Sequence, residues 1–262
     1  MYANDILTED FFQKLYVDEQ KSFAEMSSHL QKKGISVSRT TLWRKAKKFI
    51  TSRSLSEAKR AKMGSPDYRP LITETTNEHI DGFLLGDGHI QANVNKIKTG
   101  RASCGVLHKE FCEYLMSGFA TYKPTIRPAM QSSSFYEGKR QYWRGRTRLH
   151  PDLWSQKNRW YKKLSGKWIK TVPEDVRITP LSVMVWYLGD GSISERRQIE
   201  LSTYAFTQRD TDILLHLLEG CGVSAVKNSR NCLKINPKNI DGFFDFIGEC
   251  PVECYRYKFP RI

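Results

Sequence analysis

Two aspartates, Asp87 and Asp190, occur in the same local sequence, FLLGDGHI at 83–90 and WYLGDGSI at 186–193, each closing an apolar run. Asp-Gly alone is a turn signal, but a second copy in the same context asks for chemistry. The runs Glu74 to Leu85 and Thr179 to Leu188 read as helices, the first with a Thr75-x-x-Glu78 capping box, the second with Thr179 as cap and Pro180 at the first helical position. Gly88 and Gly191 are then expected to leave the helices in a left-handed conformation. A carboxylate at a helix C-terminus adds to the partial negative charge of the last carbonyls, and a cation reverses the sign of that effect. Aspartate and carbonyl oxygens are the ligands Mg²⁺ accepts. Gly82 and Gly86, four apart, give the first helix a face on which a second helix can approach closely. The pattern therefore predicts a paired-carboxylate, metal-bridging site.

What positions the aspartates is repeated too. After the first motif the sequence predicts two strands around Thr99-Gly100, a helix, the strands TIRPAMQ and KRQYWRGRTR, and a closing helix over 152–164. After the second it predicts a strand-rich stretch, a helix from Thr207 to Glu219, the strands SAVKNSR and NCLKINP, and a closing helix over 238–248. The order is αββαββα, twice. Along RQYWRGRTR, Arg140, Tyr142, Arg144, Arg146 and Arg148 share one parity and Trp143, Gly145, Thr147 and Leu149 the other. Four arginines on one sheet face repel one another without a counter-anion, and their spacing suits a strand in a DNA groove, reaching phosphates or guanine edges.

Charge distribution agrees. The formal net charge is +14, and residues 96–170 hold 17 basic and 4 acidic groups while 171–262 hold 11 and 12. The excess faces a polyanion from one central segment. A membrane surface fits less well, since the basic residues lie on strands and not on one amphipathic helix. The 39% hydrophobic content is globular, no stretch approaches a membrane span, and MYANDILTEDFF lacks a signal-peptide pattern. The expectation is a soluble intracellular protein of a bacterial or phage-infected cytoplasm, or of an organelle. Six cysteines without a paired framework are expected to be reduced structural thiols.

Residues 1–50 predict a separate helical module. Ser38 is a plausible N-cap of a helix whose inward stripe is Leu42, Ala46 and Phe49, with a turn at Gly34 before it. Arg39, Thr40, Thr41, Trp43, Arg44 and Lys47 are left outside, as in a helix-turn-helix unit that places its second helix in the major groove. Residues 51–71 read as a basic linker broken by Gly64, Pro66 and Pro70.

Motif, repeat order and basic strand together resemble the LAGLIDADG homing endonucleases of the single-chain, two-motif type, over about residues 72–262. Against the family nonapeptide, IDGFLLGDG (80–88) and VMVWYLGDG (183–191) both keep the final Asp-Gly; only the first keeps the early glycine, Gly82, where the second has Val185. The resemblance implies an α+β fold: two αββαββα halves, 72–171 and 172–262, related by a pseudo-two-fold axis, with a saddle-shaped antiparallel sheet surface over double-stranded DNA. It implies a monomer that hydrolyses both strands of a long asymmetric target. Mg²⁺, with Mn²⁺ as substitute, would be held by Asp87 and Asp190 with the Gly86 and Gly189 carbonyls. Lys170 (in KWIKTVP) and Lys258 (in YRYKFP), each before a proline, resemble the family's catalytic lysines, with Lys167 a rival for the first. Expected DNA contacts are Arg140, Tyr142, Arg144, Arg146 and Arg148 in the first half, Lys227 and Lys234 in the second, and Arg39, Thr41 and Arg44 in the N-terminal module. The competing reading is a non-cleaving nucleic-acid binder of the same fold, an intron RNA maturase or a transcriptional regulator.

Overall fold

The computed structural model describes residues 6–19, 21–51, 72–93, 98–133, 136–194 and 198–260. The chain forms two compact units, Met1–Pro70 and Leu71–Ile262. The expected linker 51–71 lies, but for its first residue, outside the described residues.

In the first unit, α1 (Glu9–Phe12) runs into a π-helical turn, Gln13–Asp18, followed by α2 (Phe23–Lys32) and α3 (Arg39–Ala46). Ser22 and Glu25 close a reciprocal capping box on α2, and Ser38 caps α3 by accepting from Thr41 N. Gly34, at φ +75°, makes the turn between them. Phe12, Met26, Leu30, Leu42 and Ala46 are fully buried. Phe49 is more exposed than its place in the stripe suggests, because it lies past the end of α3, where it stacks on the Phe12 ring.

The second unit runs α4 (Glu74–Leu85), β1 (His89–Asn93), β2 (Thr99–Val106), α5 (Lys109–Ser117), β3 (Thr125–Ser133), β4 (Tyr136–Arg146) and α6 (Pro151–Trp160). After a hairpin, β5 (Tyr161–Leu164) and β6 (Lys167–Lys170), the order repeats: α7 (Pro180–Asp190), β7 (Gly191–Ile193), β8 (Ile199–Leu201), α8 (Gln208–Gly220), β9 (Ala225–Lys227), β10 (Leu233–Ile235) and α9 (Ile240–Ile247). Both four-stranded sheets are antiparallel with the same strand order, β1-β2-β4-β3 and β7-β8-β10-β9. One continuous apolar core joins the halves, with α4 against α7 at its centre and Trp160, Trp186, Tyr187 and Phe83 fully buried.

Four details differ from the sequence expectation. The cap of α4 is Thr73, accepting from Thr76 N, two residues ahead of Thr75. Thr99 and Gly100 open β2 instead of forming the turn; Gly100 presses on the Leu153 backbone of α6, where any Cβ would collide. Helix α6 stops at Trp160, because Tyr161 takes an extended backbone and Ser165-Gly166 turns the chain, both at positive φ. Gly88 and Gly191 are not left-handed; a side chain at either would overlap the backbone and ring of Phe83 or Tyr187, so it is space that requires glycine there.

Candidate metal centre and nucleic-acid interface

The two motif helices meet through small residues. A Cβ on Gly82 would run into the Ser182 backbone, and one on Gly189 would sit 3.1 Å from Asp87 N and 3.4 Å from Gly86 Cα. The second helix thus supplies Ser182, one turn before Val185, as its small residue, and Val185 packs into the core. Asp87 lies in the turn after Gly86 caps α4, whereas α7 continues through Asp190.

The aspartates sense each other. Burial, then the Asp190 carboxylate, pushes the Asp87 carboxyl up to about 6 against the pull of Lys258 and Lys170. Burial also raises Asp190, with Lys170 and Lys258 opposing. Asp87 remains open to solvent, so the shift arises from the walls of a recess and not from enclosure.

The lysines arrive from different chain positions and make similar contacts. Lys170 Nζ donates to Leu84 O (2.8 Å) and Gly88 O (2.9 Å). Lys258 Nζ donates to Leu188 O (2.8 Å), Gly191 O (2.8 Å) and more weakly Tyr187 O (3.5 Å). In the repeated motif Gly88 matches Gly191 and Leu84 matches the weakly held Tyr187, while Leu188 matches Leu85, so each ammonium caps the carbonyl end of its own half's helix one residue apart in register. Burial drops Lys170 to about 8 and lowers Lys258, in both cases against the attraction of the two aspartates. Lys167, at the exposed start of β6, has no part in this cluster.

Donor chemistry fits a hard divalent ion. Two carboxylates and the preceding glycine carbonyls are all-oxygen, and Mg²⁺ completes its shell with water or phosphate oxygens. Among the described residues no cluster of three or more His, Cys, Asp or Glu side chains could hold a metal, and all six thiols are free.

Beside this centre the first sheet has a basic face. Pairing registers place Arg101, Arg127, Arg140, Arg144 and Arg146 on one side of β2, β3 and β4, with Tyr142 bonded to Arg144. Arg101, Lys123, Arg127, Arg144, Arg146 and Arg148 line a concavity of about 430 Å³. β4 ends at Arg146, and Arg148 joins them from the following segment. Among the described residues the buried Nε atoms of Arg101 and Arg146 have no hydrogen-bond partner, the state expected of a face built for an anion. Sequence reading had omitted Arg101, Lys123 and Arg127; the alternation of Arg101, Ser103 and Gly105 along β2 is the signal that was there.

The second sheet is different. Lys234 shares the outer parity with Glu200 and Val226. Lys227 departs from expectation: it has the parity of buried Leu233 and Leu201, and its ammonium pairs with Asp212 of α8. In the N-terminal unit Arg39, Thr41, Trp43, Arg44 and Lys47 are exposed on α3, with Lys47 over the Trp43 ring at 4.0 Å. His150 and His108 serve structure, capping α6 and packing on Tyr255 respectively.

Comparison with known proteins accords with this geometry. The structure of the homing endonuclease I-WcaI bound to its DNA recognition sequence superposes with a TM-score of 0.63 at 18% identity, covering 81% of this chain and 96% of that one. I-DmoI, solved in complex with DNA and Mn, is more distant: TM-score 0.42, 11% identity, 66% of this chain and 96% of that chain. An uncharacterized protein of Methanocaldococcus jannaschii, MJ1098, is 27% identical over 158 residues, 56% of this chain. The chain thus spans little more than half, 57%, of that relative's length. Among the described residues no helix is long and apolar enough to cross a membrane. The model of the LAGLIDADG DNA endonuclease family matches residues 77–243, from the first motif helix into α9, and the chain belongs to that family.

Proposed function

We propose that the protein is a site-specific homing endonuclease that hydrolyses both strands of a long, asymmetric double-stranded DNA target with divalent-metal assistance, acting as a monomer. The observation that carries this reading is the repeated pairing of a motif aspartate with a lysine on the carbonyl end of its helix, once per half, where the two helices touch. Two such centres side by side match two scissile phosphates.

Asp87 and Asp190, with the Gly86 and Gly189 carbonyls, would hold Mg²⁺, or Mn²⁺ in its place; when bound, the ion supplies positive charge that activates a water and stabilises the leaving oxygen. Lys170 spends two of its three N–H groups on Leu84 and Gly88 carbonyls, so one is left for a phosphate oxygen or the attacking water. Lys258 plays the same part in the second half. Arg101, Arg127, Arg140, Arg144, Arg146 and Arg148 bind the duplex at the first sheet, and Lys234 at the second. The exposed Arg39, Thr41 and Arg44 of α3 add a contact through the helix-turn-helix-like module.

A non-cleaving binder of this fold, a maturase or regulator, has no use for two raised carboxyls beside one half-buried and one buried lysine. The deciding experiment is selection of cleaved sites from a randomised or host-derived DNA library in Mg²⁺. Recovered sites cut on both strands, and no cutting in EDTA, are expected. Tight binding with no cleavage would favour the non-cleaving reading, and full cleavage in EDTA would remove the metal from it.

A further inference from the structure

Lys157, on α6, takes no part in the chemistry so far described, and its surroundings are unusual. The residue is only 6% exposed, yet its Nζ is not among the fully buried unpartnered atoms. Its ammonium sits 3.2 Å from the Tyr161 ring centroid and 5.4 Å from that of Trp168, both on the β5–β6 hairpin. Aromatic faces hold a cation without accepting its protons in ordinary hydrogen bonds. Among the described residues Lys157 meets no carboxylate and no hydrogen-bond acceptor, so all three N–H groups remain to be used.

Covering a cation with no anion costs free energy, and a chain keeps one there only when something compensates. Among the described residues only the two rings do so, and they supply no anion. The nearest charge acting on Lys157 is another cation, Lys170, and burial with that repulsion lowers its pKa to about 8. Tyr161, whose ring covers the ammonium, accepts from Ile90 N (3.2 Å) through its hydroxyl and pairs with Lys170 across the hairpin, which puts Lys157 beside β1 and the first-half lysine. An anion from outside would supply the missing partner.

Among the described residues the second half has no such arrangement. Ser192 stands where His89 stands after the first motif, and α9, IDGFFDFI, carries two acids and no basic residue. We propose that Lys157 is a phosphate-contacting residue of the first half, holding the DNA backbone next to the bond served by Lys170, and that its missing counterpart makes the two strand cuts unequal. This rests on the endonuclease reading above, and it names a contact that the paired motifs do not supply.

The test uses a duplex recovered by binding selection from a randomised library, with each strand labelled separately, under single-turnover conditions in Mg²⁺. Lys170→Met identifies the strand cut beside the first half. Lys157→Met is expected to slow that same strand about ten-fold, the equivalent of one hydrogen bond to a charged group, and to leave the other within about two-fold. It should lower the salt slope of DNA binding by about one and leave the melting temperature unchanged or raised. Lys157→Arg should recover most of the rate. Equal slowing of both strands, no slowing of either, or an unchanged salt slope in folded Lys157→Met overturns the proposal. Should the wild type cut neither strand, the nuclease reading fails, and the salt slope still decides whether Lys157 meets a phosphate.

Discussion

The two halves of the second unit share strand order, motif helix and lysine cap, and differ in almost everything that faces outward. In the first, β3 and β4 run nine and eleven residues and bear arginines; in the second, all four strands are three residues long and the outer face mixes Lys234 with Glu200. Buried polar structure is unequal as well. Asp81 of α4 is fully buried, accepting from both guanidinium nitrogens of Arg159, from Trp160 Nε1 (3.1 Å) and from Arg177 N (2.9 Å). Its counterpart in the second motif is Met184. The repeat has kept the aspartate–lysine pair twice and the arginine face and the ion network once, as expected if two cuts need two centres and one binding event needs one grip.

Changes at the duplicated part should have the largest effects. Losing either motif carboxylate should remove double-strand cleavage by about a thousand-fold or more while leaving DNA binding intact, since the arginine face is untouched. Next comes the network found only in the first half. Asp81→Ala leaves a buried guanidinium short of its partner and should destabilise the protein by about 3–5 kcal/mol, read as a lowered denaturation midpoint; Met184→Ala creates only a cavity and should cost about 2–5 kcal/mol with no change in the dependence of stability on salt. A midpoint for Asp81→Ala equal to the wild type would show the network to be ornamental.

At the binding faces, Arg144→Ala or Arg146→Ala should each weaken binding by about 1–3 kcal/mol and lower the salt slope by about one, whereas Lys234→Ala should change affinity little. Equal effects from the two sheets would contradict the asymmetry.

The smallest effect is on stability without DNA. Asp87 has a folded pKa raised to about 6, so its contribution is most favourable below its ordinary value near 3.8 and is lost as pH rises through 6. Lys170 has a folded pKa lowered to about 8, so its contribution is present above 10.5 and lost as pH falls through 8. Between about pH 6 and 8 both groups are charged at a cost. Asp87→Asn should therefore melt slightly higher than wild type in EDTA at pH 7, and Mg²⁺ should raise the wild-type midpoint more than the variant's. A variant that melts lower in EDTA would show that attraction to the lysines dominates.

Much of this was legible in the chain because local rules and tertiary structure agree. Thr179-Pro180 fixed the start of α7, Thr207 that of α8, Ser38 that of α3, and the parity of RQYWRGRTR put Arg144 and Arg146 on one face with Gly145 inside. The misreadings occur where a long-range partner decides. Ser182 was passed over as the small contact because only its neighbour across the crossing, Gly82, reveals the role. Lys227 reads as a surface cation until the pairing with Leu233 puts it on the helix side. The tail of α6 looked helical because Tyr161–Leu164 has helix-compatible residues, while Ser165-Gly166, directly after it, was a two-residue hairpin signal. Lys157 was invisible since its meaning depends on what is absent around it.

The central claim is that Asp87 and Asp190 are halves of one paired centre. Strand-resolved cleavage by Asp87→Asn and Asp190→Asn on the selected target in Mg²⁺ tests it most directly. Both variants should bind the duplex as tightly as wild type and fail to produce the double-strand break. If either variant still cuts both strands at the wild-type rate, its aspartate is not part of the centre and the account is wrong.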